Sequence, residues 1–299
     1  MLEATLARTQ HYAPLKHTLV VVNSNHLDIG REQLRPLPSE NVLVQPHNRD
    51  TGPGVLFALL RLARRDPAAI VGVFPSDHYV GDDRAFIGHV SRAVREVTRL
   101  PDKIVVLGIL PDRPDPGFGY IVPDRPLRTQ LGKATMFHVA TFHEKPGAEV
   151  AQALVAQGGL WNSFVMVFRI SRMLELLQSV IPHDFHRMWT LSKDPQTMPN
   201  LYRDMTPWNF SSHFLASVPQ HLMVLRVDDV HWSDWGTRDS IERTLRMLTH
   251  TPPWQMRPPA VGATGQPRQR GQAAQDGQPH FSMGRPSPGG SMSNSSILR

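Results

Sequence analysis

An α/β fold, an open mixed sheet flanked by helices, is predicted by three observations. Short β-branched runs recur along the first hundred residues, stretches with helical apolar spacing separate them, and an aspartate sits just past the end of one run. Continuous apolar runs of three to five residues fit strands buried on both faces of a sheet. Their alternation with helices is the βαβ pattern.

Apolar positions at Leu2, Leu6 and Tyr12 predict the back half of an amphipathic helix over residues 2–12. Strands follow at 18–22 and 42–44, then a helix at 53–64 with Val55, Leu56, Leu59, Leu60 and Ala63 on one face. Pro53 lies in its first turn, where the missing N–H costs nothing. A strand at 70–74, a helix at 83–98 carrying Phe86, Val90, Val94 and Val97, and a strand at 104–107 complete the regular part. Beyond residue 110 the rhythm loosens. Strands are expected at 119–122, 135–142 and 161–168, with helices at 147–157, 170–180, 184–191 and 238–248.

From Thr251 onward Pro, Gly, Gln and Ser dominate and periodicity ends. Residues 1–250 are therefore expected to form one domain and 251–299 a disordered basic tail, whose removal leaves the body intact. The tail holds five arginines against Asp276 alone, a surplus of four out of the net +6. A nearly neutral body argues against a nucleic-acid-binding face. Cysteine is absent, which excludes disulfides, thiolate metal sites and thiol nucleophiles. No secretory signal or membrane-spanning run is visible, so a cytoplasmic, soluble protein is expected. Composition leaves a homo-oligomer open.

In open α/β sheets ligands bind beyond the C-terminal strand ends. Asp77, in Phe-Pro-Ser-Asp-His (74–78), lies at such a place, and Asp234, in His-Trp-Ser-Asp-Trp-Gly (231–236), follows another strand-like run. Taken singly, each reads better as a turn residue or helix cap. As a pair they offer the one or two carboxylates with which Mg2+ is held beside phosphate oxygens. Glu144-Lys145-Pro146 offers a point charge for a phosphate and an acceptor for hydroxyls, although alone it reads as an ordinary strand end. Gly119 would let the backbone approach a ring closely, or simply makes a hairpin turn. Asn162 supplies an amide for hydroxyls, on a strand whose tryptophan reads as core. Gln45 and Asn48 lie between a strand and a helix, where their amides can read a base edge and the helix N-terminus can face an anion. His78 is given no catalytic role, because phosphoryl-type transfer depends on positioning and charge neutralisation.

The ordered set Gln-Pro-His-Asn-Arg-Asp-Thr-Gly-Pro (45–53), Phe-Pro-Ser-Asp-His (74–78), Gly-Phe-Gly-Tyr-Ile (117–121), Glu-Lys-Pro (144–146), Trp-Asn-Ser (161–163) and Trp-Ser-Asp (232–234) resembles bacterial mannose-1-phosphate guanylyltransferases, of the sugar nucleotidyltransferase superfamily. The resemblance runs over residues 1–248. It implies a Rossmann-like, nucleotide-diphospho-sugar transferase type domain that condenses GTP with mannose 1-phosphate to GDP-mannose and pyrophosphate. It implies that Asp77 and Asp234 hold Mg2+, that Lys145 meets the sugar phosphate, and that Glu144, Asn162 and Gly119 hold the sugar. Gln45, Asn48 and Thr51 would lie against the guanosine.

The family opens with a strand and a Gly-rich loop, and this chain opens at the helix after them. A missing first strand and an exposed gap in the sheet are therefore expected. Phe164 stands where the family has glycine, and Asn209 where an acidic residue is common. Two other readings stay open: a non-catalytic sugar-nucleotide-binding homologue that regulates a partner, and a related transferase using another nucleotide or sugar 1-phosphate.

Overall fold

The computed structural model describes residues 1–127, 135–249 and 295–298. In chain order the elements are α1 (Leu2–Thr9), β1 (Thr18–Asn23), α2 (Leu27–Leu34), β2 (Val42–Gln45), α3 (Thr51–Arg65), β3 (Ile70–Pro75), β4 (His78–Tyr79) and α4 (Asp83–Arg99). Then come β5 (Ile104–Ile109), β6 (Tyr120–Pro126), β7 (Met136–His143), α5 (Ala148–Ala156), β8 (Leu160–Arg169), α6 (Ile170–Val180), α7 (Pro182–Leu191) and α8 (Met198–Asp204). The last are β9 (Leu222–Val227), β10 (Ser233–Asp234), α9 (Arg238–Met247) and β11 (Ser295–Leu298).

Nine strands form one sheet in the order β2-β1-β11-β3-β8-β5-β9-β7-β6, and β4 pairs with β10 in a separate ribbon. β1 runs parallel to β2 and β5 parallel to β9, whereas β8 is antiparallel to β3, β5 and β6. This is the mixed α/β sheet that the strand and helix alternation predicts. Alternate side chains of the central strands enter opposite layers. Val71, Val73, Ile104 and Val106 pack with Leu56, Leu59 and Leu60 of α3 and with Met173 and Leu177 of α6. Val105, Leu107, Val165 and Val167 pack with Phe86, Val90, Ala93 and Val97 of α4. Burial on both faces explains why these strands read as continuous apolar runs. Among the described residues no helix is long and apolar enough to cross a membrane.

Six elements, α2, β4, α8, β9, β10 and β11, differ from the expectation. α2 escapes periodicity because Ile29 points outward, 81% exposed, and breaks the apolar stripe. β9 carries an apolar run, Leu-Met-Val-Leu-Arg-Val, that by itself signals a buried strand. β11 falls within the tail expected to be disordered. It lies antiparallel between β1 and β3, with Val20 opposite Ser296 and Val73 opposite Ile297. Backbone pairing requires no amphipathic pattern in the pairing segment, so a Ser-rich tetrapeptide can complete the sheet. The position between β1 and β3 is thus filled rather than open. The remainder of the expected tail lies outside the described residues.

The chain divides into two compact units, one of residues 1–235 together with β11 and one beginning at Gly236. In the second, α9 starts with a reciprocal cap in which the Thr237 hydroxyl accepts from the Ser240 amide.

If β11 seals the sheet, truncation after residue 294 leaves facing backbone groups of β1 and β3 without partners. The unfolding midpoint then falls and light scattering rises relative to the full chain. Ile297→Pro, which removes one ladder donor, reproduces part of the effect. An unchanged midpoint in both variants would remove this role from β11.

Candidate active site

The β4–β10 ribbon brings the two aspartates together from opposite parts of the chain. Asp234 is in register with His78, and the Trp235 amide donates to the Asp77 carbonyl at 3.0 Å. Burial pushes the Asp77 carboxyl up to about 6, and the Asp234 charge adds to the rise. The neighbouring His78 ring goes the other way, lowered to about 3 by burial and then by the Arg8 charge. At that value the His78 ring is neutral near pH 7 and too weakly basic to take up a proton there. Its Nδ1 accepts the Trp232 indole N–H at 3.2 Å, with the rings edge to face at 5.0 Å.

A second group forms where β6, β7 and β8 end. The Asn162 amide donates to the Gly119 carbonyl at 2.8 Å. A Cβ added to Gly119 would sit 2.5 Å from Glu144 Oε2 and 3.4 Å from the Asn162 Cβ, so these three expected residues share one cradle. Burial raises the Glu144 carboxyl, Lys145 opposes the rise and Asp50 adds to it. Lys145 itself has φ 45°, a left-handed conformation that turns the chain sharply beside Glu144. Phe118, Trp161 and Trp232 pack together, with ring centroids 4.6, 5.5 and 6.4 Å apart. Each is one or two positions from Gly119, Asn162 or Asp234, so an aromatic cluster joins the cradle to the carboxylate ribbon.

The third group is the loop from β2 into α3. Gln45 lies over Gly54, where a Cβ would meet its Nε2 at 2.8 Å. Asn48 Oδ1 accepts the Asp50 amide at 3.0 Å, and Thr51 Oγ1 accepts the Phe210 amide at 2.9 Å. Arg49 ties the loop down by donating to the carbonyls of Tyr202 and Arg203 at 2.6 and 2.7 Å. One expectation is overturned here. The N-terminus of α3 is a poor anion site: the Thr51 amide is taken by Asp50 Oδ1, the Gly52 amide by the Trp208 carbonyl, and Pro53 has none. The carboxylate of Asp50 already neutralises that helix end.

Sequence reasoning passed over Asp50 and Ser211 as site residues, and noted Asn209 only as a departure. The Asn209 side chain accepts from the Ser211 and Ser212 amides at 2.9 and 3.1 Å and caps a single π-turn over Phe210–Phe214. Asn two positions before serine, ahead of an aromatic, is a cap signal that the sequence does carry. Phe164 has φ 57°, a backbone region that glycine adopts freely and phenylalanine does not. Its ring packs edge to face on Phe210 at 5.9 Å and rests against the core.

Two outcomes are expected. If the cradle holds a sugar, as the resemblance implies, Gly119→Val drives Glu144 aside and weakens binding of a sugar nucleotide, read by titration calorimetry, while the unfolding midpoint changes little. Unaltered affinity would separate the cradle from ligand binding. The second concerns pH. The fold disfavours ionised Asp77, so this cost is absent below the ordinary carboxylate value and complete once pH exceeds about 6. Asp77→Asn therefore raises the unfolding midpoint of the metal-free protein at about pH 8 and has little effect at about pH 4. Equal shifts at both values would contradict the buried-carboxylate account.

The nucleotidyl transferase family model matches residues 1–250. A mannose-1-phosphate guanylyltransferase of Escherichia coli K12 is 36% identical over 189 residues, 61% of this chain and 38% of that protein. Mannose-1-phosphate guanylyltransferase ManC of Salmonella typhimurium is 32% identical over 275 residues, 84% of this chain and 53% of its own length. The chain thus spans about half, or less, of the curated relatives it matches. Among solved structures, one described as mannose-1-phosphate geranyltransferase from Thermus thermophilus superposes with a TM-score of 0.71 at 25% identity, covering 82% of this chain and 68% of that one. With the mixed sheet and a match over most of its length, the chain belongs to the nucleotidyl transferase family.

Proposed function

We propose that this chain transfers a guanylyl group from GTP to mannose 1-phosphate, giving GDP-mannose and pyrophosphate. The observation that carries the reading is the juxtaposed pair Asp77 and Asp234, joined through packed aromatics to the Gly119–Glu144–Asn162 cradle. A phosphate oxygen of the sugar phosphate attacks the α-phosphorus of GTP. The bond from that phosphorus to the bridging oxygen breaks, and pyrophosphate leaves with the electron pair.

Asp77 and Asp234 fit Mg2+. Both donors are hard carboxylate oxygens, and a cation would offset the burial that raises Asp77 and the Asp234 charge that adds to it. Among the described residues no cluster of three or more His, Asp and Glu side chains is poised to bind metal. Mg2+ does not require one, since it keeps waters and phosphate oxygens as ligands. When bound, such an ion neutralises charge on the reacting phosphates.

Lys145, exposed at the turn after β7, meets the phosphate of the sugar substrate as a point charge. Glu144 and Asn162 accept from and donate to sugar hydroxyls, and Gly119 leaves room for the ring. On the nucleotide side, Gln45 Oε1 is buried and has no hydrogen-bond donor, which suits the N–H edge of a base. Asn48 and Thr51 order the loop that carries it.

Pyrophosphate release by the chain with GTP, mannose 1-phosphate and Mg2+ tests this reading. Asp77→Asn and Asp234→Asn should each lower the rate by about 100-fold or more, the scale of losing a preorganised electrostatic contact. Chelation of Mg2+ should abolish it. Release that survives both substitutions would refute the assignment of the carboxylates. Binding of GDP-mannose without turnover would instead identify a non-catalytic homologue, and faster release with ATP or glucose 1-phosphate a different substrate pair.

A further inference from the structure

Asp50 is held in an unusual backbone conformation, φ 66° and ψ −169°, which only glycine visits freely. Something must hold it there. Its amide donates to Asn48 Oδ1, and its own Oδ1 accepts both the Thr51 amide at 2.6 Å and Asn209 Nδ2 at 3.2 Å. Asn209 lies 159 positions away. The orientation of its amide is fixed by its other end, because Oδ1 receives the Ser211 and Ser212 amides. Only a side chain with a donor on one side and an acceptor on the other satisfies both demands. From there the chain of bonds continues. Ser211 Oγ accepts Asn162 Nδ2 at 3.3 Å, and Asn162 donates through its backbone to Gly119.

We propose that Asp50 and Asn209 form a matched donor–acceptor lock that positions the nucleotide-facing loop relative to the sugar-facing cradle. The proposal deepens the guanylyltransferase reading and rests on it for the identity of the ligand. Neither residue is a catalytic residue. They act through Asn48 and Thr51 on one side and through Ser211 and Asn162 on the other. A carboxylate at position 209 would still cap the π-turn but could not donate. It would also set a second negative charge against Asp50, near Glu144, whose carboxyl already feels the Asp50 charge. The lock depends on complementarity rather than on which partner is charged, so exchanging the two side chains should preserve it. An asparagine at 50 still accepts from Thr51 and donates across; an aspartate at 209 still caps and accepts.

The test compares the parent with Asn209→Asp, Asp50→Asn and the exchange double variant, measuring GDP-mannose affinity and unfolding midpoint for all four. Asn209→Asp, which sets two carboxylates together, should weaken binding about fivefold to tenfold, a tenfold change being about 1.4 kcal/mol, whereas Asp50→Asn, whose Oδ1 still accepts from both Thr51 and Asn209, should stay within about twofold of the parent. The double variant should return to within about twofold of the parent in affinity and recover the midpoint, as coupled pairs do in a mutant cycle. Steady-state KM should rise for both substrates in Asn209→Asp with kcat less affected, a split that general loss of folded protein would not produce. Full activity of Asn209→Asp, or a double variant no better than Asn209→Asp alone, would overturn the lock. Should the parent fail to bind GDP-mannose, the functional reading fails while the lock is still decided by the midpoints: recovery in the exchange supports it and additivity refutes it.

Discussion

β8 is the strand on which the geometry of the site depends. It runs antiparallel between β3 and β5, two strands that run parallel to one another, and its first residues also pair with β6. Its register against β5 shifts between Val106 and Gly108. There the Ser163 hydroxyl donates to the Leu107 carbonyl at 2.6 Å and accepts the Val165 amide, so a side chain stands in for ladder bonds. The irregularity turns Phe164 into a positive-φ conformation and aims Asn162 at Gly119 and Ser211. A regular strand would send alternate residues to fixed faces and leave the amide elsewhere.

Around that strand the chain concentrates negative charge. Asp77, Asp234, Glu144 and Asp50 approach from separate segments, and two of the four have carboxyls raised by burial. Holding such groups in a partly desolvated crevice is costly unless a cation or proton shares the space. In the proposed reading the phosphorylated substrates are also anionic, so Lys145 and a divalent ion would supply the positive charge such a site needs. The same reasoning explains why the N-terminus of α3 carries an acid cap.

Much of the fold is legible in the order of residues. The runs at 18–22, 70–74 and 104–107 announce strands because both faces of the sheet are covered, and the spacing of Phe86, Val90 and Val97 announces α4. The motifs containing Asp77, Gly119, Glu144 and Asn162 are visible as polar or glycine residues at strand ends. Less legible is anything set by a partner distant in the chain. β11 has no apolar pattern of its own and owes its strand character to β1 and β3. Asp50 and Asn209 look unrelated in the sequence until the fold places one against the other.

By itself, then, the sequence determined which segments are strands and helices and which polar residues stand at strand ends. Those properties follow from local periodicity, turn chemistry and the burial of adjacent side chains. Only the tertiary structure decided that β8 runs against its neighbours, that the slot between β1 and β3 is filled from the other end of the chain, and that Asp50 meets Asn209. Strand order and side-chain pairing across more than a hundred positions depend on loop closure and on the packing of whole layers, and no local window of sequence contains that information.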